Sequence, residues 1–246
     1  MFIVKRFNKT FNGMLLIAIL SIFGIYFAFR HASIPVKRNF LVGLSLFNII
    51  YYFIYKMFLS KDQEFLKISG YETFNWWSEL PLQLCNINMI LVPIGILLDS
   101  NFILGFSFFV GPLGAMLAIC MPEPAFTGHS LLKPRIAGFY GNHFMVVIAG
   151  ISLSTLGLFV PETKYIPGVV KVGIALVFVI HIINTILRKG LCEYANYFFT
   201  YSPGGVGILE KLKKIFKIPC LYMWPFFLVL IPYMIGVCKI YELFHK

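Results

Sequence analysis

Charge is what this sequence has least of. Only 13% of its 246 residues are charged, and 10 acidic residues face 21 lysines and arginines. Soluble domains carry about twice that charged fraction, which excludes an ordinary water-facing surface. Cysteine is sparse too: Cys85, Cys120, Cys192, Cys220 and Cys238 form no CxxC and no regular spacing, so neither a disulfide framework nor a zinc site is indicated. No HExxH, GxSxG or Rossmann glycine pattern occurs. SPGGVG, Ser202 to Gly207, lacks the following Lys-Ser/Thr of a P-loop and reads as a turn. No metal and no organic cofactor is implied. No repeat or low-complexity linker divides the chain, so residues 1–246 are expected to form a single integral membrane domain.

In place of charge there is apolar bulk: 59% hydrophobic and 17% aromatic residues, with a mean hydropathy of +0.83. Runs long enough to cross a hydrocarbon core occur at Gly13 to Phe29, Phe40 to Phe58, Pro81 to Leu98, Phe102 to Met121, Phe144 to Val160, Val169 to Leu187 and Leu221 to Tyr241. The expected fold is all-α, a polytopic transmembrane bundle of about seven helices. Lys5, Arg6 and Lys9 precede the first run as in a secretory signal, but its apolar core is long and no small-x-small site follows before Arg30. It is read as a retained anchor.

A net charge of +11 would suggest nucleic acid in a soluble protein. Here the basic residues sit beside apolar runs, so their first meaning is topology and no nucleic-acid partner is expected. Seven crossings put Lys5, Arg6, Lys9, Lys56, Lys61, Lys67, Lys133, Arg135, Arg188, Lys189, Lys211, Lys213, Lys214 and Lys217 on the N-terminal side. Arg30, Lys37, Arg38, Lys164, Lys171, Lys239 and Lys246 fall opposite, half as many, which favours a cytoplasmic N-terminus in the cell membrane. The longer connections, Leu59 to Leu80, Pro122 to Asn142 and Arg188 to Cys220, then share the cytoplasmic face. The last contains GILEKLKKIFKI, where Ile208, Leu212, Ile215 and Phe216 recur at helical spacing among Lys211, Lys213, Lys214 and Lys217. This is expected to be a short interfacial amphipathic helix before the last span, its lysines either meeting anionic phospholipid headgroups or enforcing topology.

Polar residues inside apolar runs are costly unless paired, so clusters of them are candidates for function. LPLQLCNINMI places Gln83, Cys85, Asn86 and Asn88 within two turns. His181, Asn184, Thr185 and Arg188 form a stripe at i, i+3, i+4 and i+7. Asn142 and His143 stand at the cytoplasmic mouth of the fifth run, so Cys85, His143 and His181 occupy one half of the membrane. A thiol beside an imidazole can act as a nucleophile for acyl transfer, with Gln83 or Asn88 donating to an oxyanion. The bland reading is a cysteine serving as a small apolar residue and amides serving as interhelical glue. Glu79 and Glu193 are expected in water, and Gly111, Pro112 and Gly114 to permit close packing or a kink. Pro225 and Pro232 suggest bends in the last span.

WWSELPLQLCNINMILVPIGILL, FFVGPLGAMLAICMP, GNHFMVVIAG and INTILRKGLCEYANYFFTYSP together resemble the YwaF family of bacterial multi-pass membrane proteins. That family is similar to eukaryotic TMEM-type phospholipid acyltransferases. The resemblance implies Cys85 as acyl-accepting nucleophile and His143 as base; Gln83, Asn88, His181 and Asn184, with Asn196 of the Asn-Tyr-Phe element, are expected to bind substrate. The function it implies is lipid acyl transfer at the cytoplasmic face. The alternative is a small-solute transporter or lipid-binding membrane protein without catalysis.

Overall fold

A computed structural model describes residues 2–204 and 207–245, without the side chains of Gly207, Ile208 and His245. Gly205 and Val206 of the expected turn, the Ile208 side chain and Lys246 thus lie outside the described residues. Among the described residues the chain forms nine α-helices and one two-stranded ribbon. The helices are α1 (Lys9–Phe29), α2 (Ile34–Leu59), α3 (Gln63–Ser69), α4 (Asn88–Leu97), α5 (Asn101–Cys120), α6 (Pro134–Thr155), α7 (Ile166–Arg188), α8 (Gly207–Ile215) and α9 (Pro225–His245). Six are long and apolar enough to cross a membrane: α1, α2, α5, α6, α7 and α9. Within those spans α6 is 72% buried against 11% for α1 and 17% for the last span. The bundle is therefore built around α6, with α1 and α9 at its margin.

The run expected as a helix from Pro81 to Leu98 is a helix only from Asn88. Ten residues of α4 span about 15 Å, half a hydrocarbon core. The remainder is irregular backbone, and its physical cause lies in its own amides, which compete for main-chain groups. Asn88 Nδ2 donates to the Leu84 carbonyl at 2.8 Å and the Cys85 carbonyl at 3.4 Å. Irregular backbone at membrane depth persists only where protein satisfies it, and here Asn88 bonds to its carbonyls and Tyr52 of α2 donates to those of Glu79 and Leu80. Broken as it is, the segment runs the length of α2: Glu79 pairs with Lys56 near one end of that helix and Asp99 with Arg38 near the other.

α6 starts ten residues before the apolar run that announced it. Pro134 occupies its first turn, where a missing N–H costs nothing, and Arg135 follows inside the helix with a fully buried side chain. Asp62 accepts from Arg135 Nη1 at 3.0 Å through both oxygens, and Glu64 Oε2 lies 3.0 Å from Nη2. These carboxylates, at the start of α3, let a guanidinium sit within protein. His143 is consequently about 13 Å into the helix, not at its mouth. Likewise α2 takes up Lys37 and Arg38, and Pro225 begins α9 in place of bending it.

Several loops meet on one face. β1 (Ile3–Val4) pairs antiparallel with β2 (His129–Ser130). Asn75 Nδ2 donates to the Leu191 carbonyl at 2.9 Å, and Tyr71 stacks on Tyr194 with ring centroids 5.3 Å apart. This joins the N-terminus to the connection before α6, and the segment before α4 to the segment after α7.

Candidate functional site

Cys85 stands in the irregular segment and His143 on α6, yet Cys85 Sγ lies 3.3 Å from His143 Nε2. The opposite ring nitrogen, Nδ1, is 2.7 Å from the Phe139 carbonyl oxygen one helical turn back. A carbonyl only accepts, so Nδ1 carries the proton and Nε2 presents a lone pair. The thiol therefore donates to the imidazole, the arrangement proton transfer away from sulfur requires. His143 is 4% exposed, and Phe139 covers one side of it at a ring distance of 4.4 Å. Cys85 is half-buried against Ala115, Val146 and Val147.

The backbone around Cys85 and Asn88 comes close to α5 at two glycines. A Cβ on Gly111 would lie 3.1 Å from Asn88 Cγ, and one on Gly114 would lie 3.8 Å from the Cys85 backbone. Close packing is thus the observed role of Gly111, whereas a Cβ at Gly114 would stand in ordinary contact. Asn86 Oδ1 accepts from Asn142 Nδ2 at 2.7 Å, linking the residues that follow Cys85 and precede His143. Asn48 of α2 donates to the Asn142 carbonyl at 3.3 Å.

His181 and Asn184 belong to a second polar cluster on α7. His181 Nδ1 lies 3.1 Å from Thr200 Oγ1, and the His181 ring stacks on Tyr201. Asn184, fully buried, donates to the Tyr197 carbonyl and Thr200 Oγ1, both at 2.8 Å, and accepts from Tyr197 N–H at 2.9 Å. Thr185 and Arg188 continue the grip through the Tyr201 hydroxyl and the Ala195 carbonyl. Asn196 holds the same loop by bonds to Ser202 and to the Tyr201 amide. The stripe therefore binds a segment of its own chain, residues 195–202. The two clusters meet where Phe198, at φ +55°, donates its N–H to Gln83 Oε1 at 3.2 Å, and where Tyr197 Oη accepts from Leu80 N–H at 2.7 Å.

Glu79 does not sit in water. Its side chain is 16% exposed and ion-paired with Lys56, itself 7% exposed. Lys56 also lies over the rings of Tyr52 and Tyr55, and Tyr52 Oη donates to the Glu79 carbonyl at 3.0 Å. This group anchors the start of the segment that carries Cys85. Sequence reading placed Lys56 among topological charges and missed the pair, although a lysine one turn inside an aromatic-rich helix end was a signal for it. Glu193 is exposed, as expected. Of the α8 region lysines, Lys211, Lys214 and Lys217 are exposed and Lys213 is half-buried.

Six apolar spans around a thiol–imidazole contact define a multi-pass helical membrane protein. The sequence model of the TMEM164 family matches residues 6–241, nearly the whole chain, and the protein belongs to that family. No curated protein and no solved structure matches it.

Proposed function

We propose that this protein is a membrane lipid acyltransferase in which Cys85 carries the acyl group. The observation that carries this reading is the 3.3 Å approach of Cys85 Sγ to the unprotonated nitrogen of a histidine whose tautomer is fixed by the Phe139 carbonyl. In the first half-reaction the thiol proton passes to His143 Nε2 and sulfur attacks an acyl ester carbonyl. Collapse of the tetrahedral intermediate breaks the ester C–O bond, and the leaving oxygen takes the proton back from Nε2. In the second, an acceptor hydroxyl gives its proton to Nε2 and attacks the thioester, restoring the thiol. Gln83, whose Oε1 accepts from Phe198 N–H, is assigned as the amide donor to the developing oxyanion. Asn88 shapes the same turn, and His181, Asn184 and Asn196 act through the loop that borders Gln83. α8 is an amphipathic interfacial helix, with Leu209 buried and Lys211, Lys213, Lys214 and Lys217 drawing anionic phospholipid to the cytoplasmic side. The YwaF resemblance supports the same assignment.

Reconstituted protein supplied with an acyl-labelled phospholipid and a lysophospholipid should form labelled diacyl product. Cys85→Ser should abolish it. Product formation that survives Cys85→Ser would reject the covalent route. Solute uptake that also survives would point to the transport reading.

A further inference from the structure

Between α2, α4, α5 and α6 lies a small internal cavity of about 10 Å³, the space in which the centre of one water molecule moves. Its lining includes Ser45, Asn48, Asn88, Met89, Ser107 and Val146. Ser45, Asn48, Asn88 and Ser107 are each at most 2% exposed. Ser45 Oγ, Asn48 Oδ1, Asn88 Oδ1 and Ser107 Oγ have no hydrogen-bond partner among the described residues. Four such atoms around one space, at membrane depth, would be a large uncompensated cost.

We propose that this cavity is a binding site for a single structural water molecule. The hydrogen-bond count closes. Both amide oxygens only accept, so water donates one hydrogen to Asn48 Oδ1 and one to Asn88 Oδ1. Both serine hydroxyls can donate, and water accepts from Ser45 and Ser107. Each orphaned oxygen then has a partner and the water makes four bonds, within the usual range for buried water. A monovalent cation fits less well, because the lining holds no carboxylate to balance its charge.

The position gives the water a structural consequence. Asn88 Nδ2 holds the Leu84 and Cys85 carbonyls, while Asn48 Nδ2 holds the carbonyl of Asn142, next to His143. A water joining the two amide oxygens completes a hydrogen-bonded bridge between the backbone carrying the thiol and the backbone carrying the imidazole. Val146 lines the cavity and also belongs to the apolar cluster against which Cys85 packs. The site stands whether or not Cys85 carries an acyl group.

Synchrotron radiolysis of the full-length protein in heavy-oxygen water tests it, because hydroxyl radicals formed from a bound water oxidise the side chain beside it. Met89 is 2% exposed and lines the cavity, whereas Met234 is 0% exposed and does not. Met89 should gain heavy-oxygen sulfoxide several-fold faster than Met234, and Ser45→Ala with Ser107→Ala should slow it. Equal protection of the two methionines in the wild-type protein would overturn the proposal. So would a thermal midpoint that rises when choline chloride is replaced by sodium chloride, which would assign the cavity to a cation.

Discussion

Replacing Lys56 with methionine keeps the length of the side chain and its contact with Tyr52 and Tyr55, and leaves the Glu79 carboxylate alone in a largely dry environment. With side-chain exposures of 7% and 16%, the pair is closer to a buried ion pair than to a surface one. Removing one partner of such a pair costs about 3–5 kcal/mol, because the survivor keeps its desolvation penalty without its counter-charge. For a chain of this size that is a fall of about 6–20 °C in the thermal midpoint. Glu79→Gln should cost a similar amount, and Lys56→Met with Glu79→Gln should recover most of the loss, since no charge then remains buried. Trp76 and Trp77 adjoin Glu79 in sequence, so intrinsic fluorescence in detergent or nanodiscs reports directly on this region. Single variants within about 1 kcal/mol of wild type would refute the claim that the pair is buried and coupled. A double variant no better than the worse single would refute the explanation by uncompensated charge.

At the loop face, Glu64 is held below the ordinary carboxylate range, first by its hydrogen bond from Lys133 and then by Arg135, while burial and Arg135 push His129 below the ordinary histidine range. Both folded forms resist protonation more than the unfolded chain does, so both stabilise above the unfolded values and lose that contribution as pH falls, His129 first below about 6.5. Exchange of the Gly128 and Leu131 amides, which donate to Val4 and Phe2 carbonyls, should accelerate between neutral and mildly acidic pH after correction for intrinsic rates. Pairing that tightens on acidification would reverse the sign. Gly111→Val should cost about 1–3 kcal/mol by crowding and slow alkylation or acylation of Cys85, because the new side chain displaces Asn88 from the carbonyls it holds; unchanged stability and reactivity would count against close packing there. Asn184→Ala should cost about 2–4 kcal/mol by orphaning buried groups of Tyr197 and Thr200, measurable as a lowered denaturation midpoint and greater proteolysis at residues 195–202.

Apolar runs declared six of the seven expected spans, because each crossing must be apolar whatever its neighbours are, while the run from Pro81 to Leu98 holds only the ten-residue α4. Their limits failed where charge is neutralised from far along the chain: Arg135 reads as loop until Asp62, 73 residues away, is known to hold it. Lys56 and Glu79, 23 residues apart, fail for the same reason. In LPLQLCNINMI the polar side chains were visible, but the apolar run was read as helix from Pro81, because hydropathy alone does not reveal that the backbone before Asn88 is irregular. Counting depth on two runs put Cys85 and His143 in one half of the membrane, without bringing them into contact. Which side of the bundle each faces depends on packing against α5, through Gly111 and Gly114, and that is not encoded in either run alone.

The central claim is that the Cys85 thiol accepts an acyl group with His143 as its base, and intact-mass analysis of the purified protein after exposure to phospholipid tests it most directly. The account predicts a fatty-acyl adduct that hydroxylamine removes, absent from Cys85→Ala and strongly reduced in His143→Ala. An unmodified mass under conditions of lipid turnover, or an adduct that persists in Cys85→Ala, would contradict it.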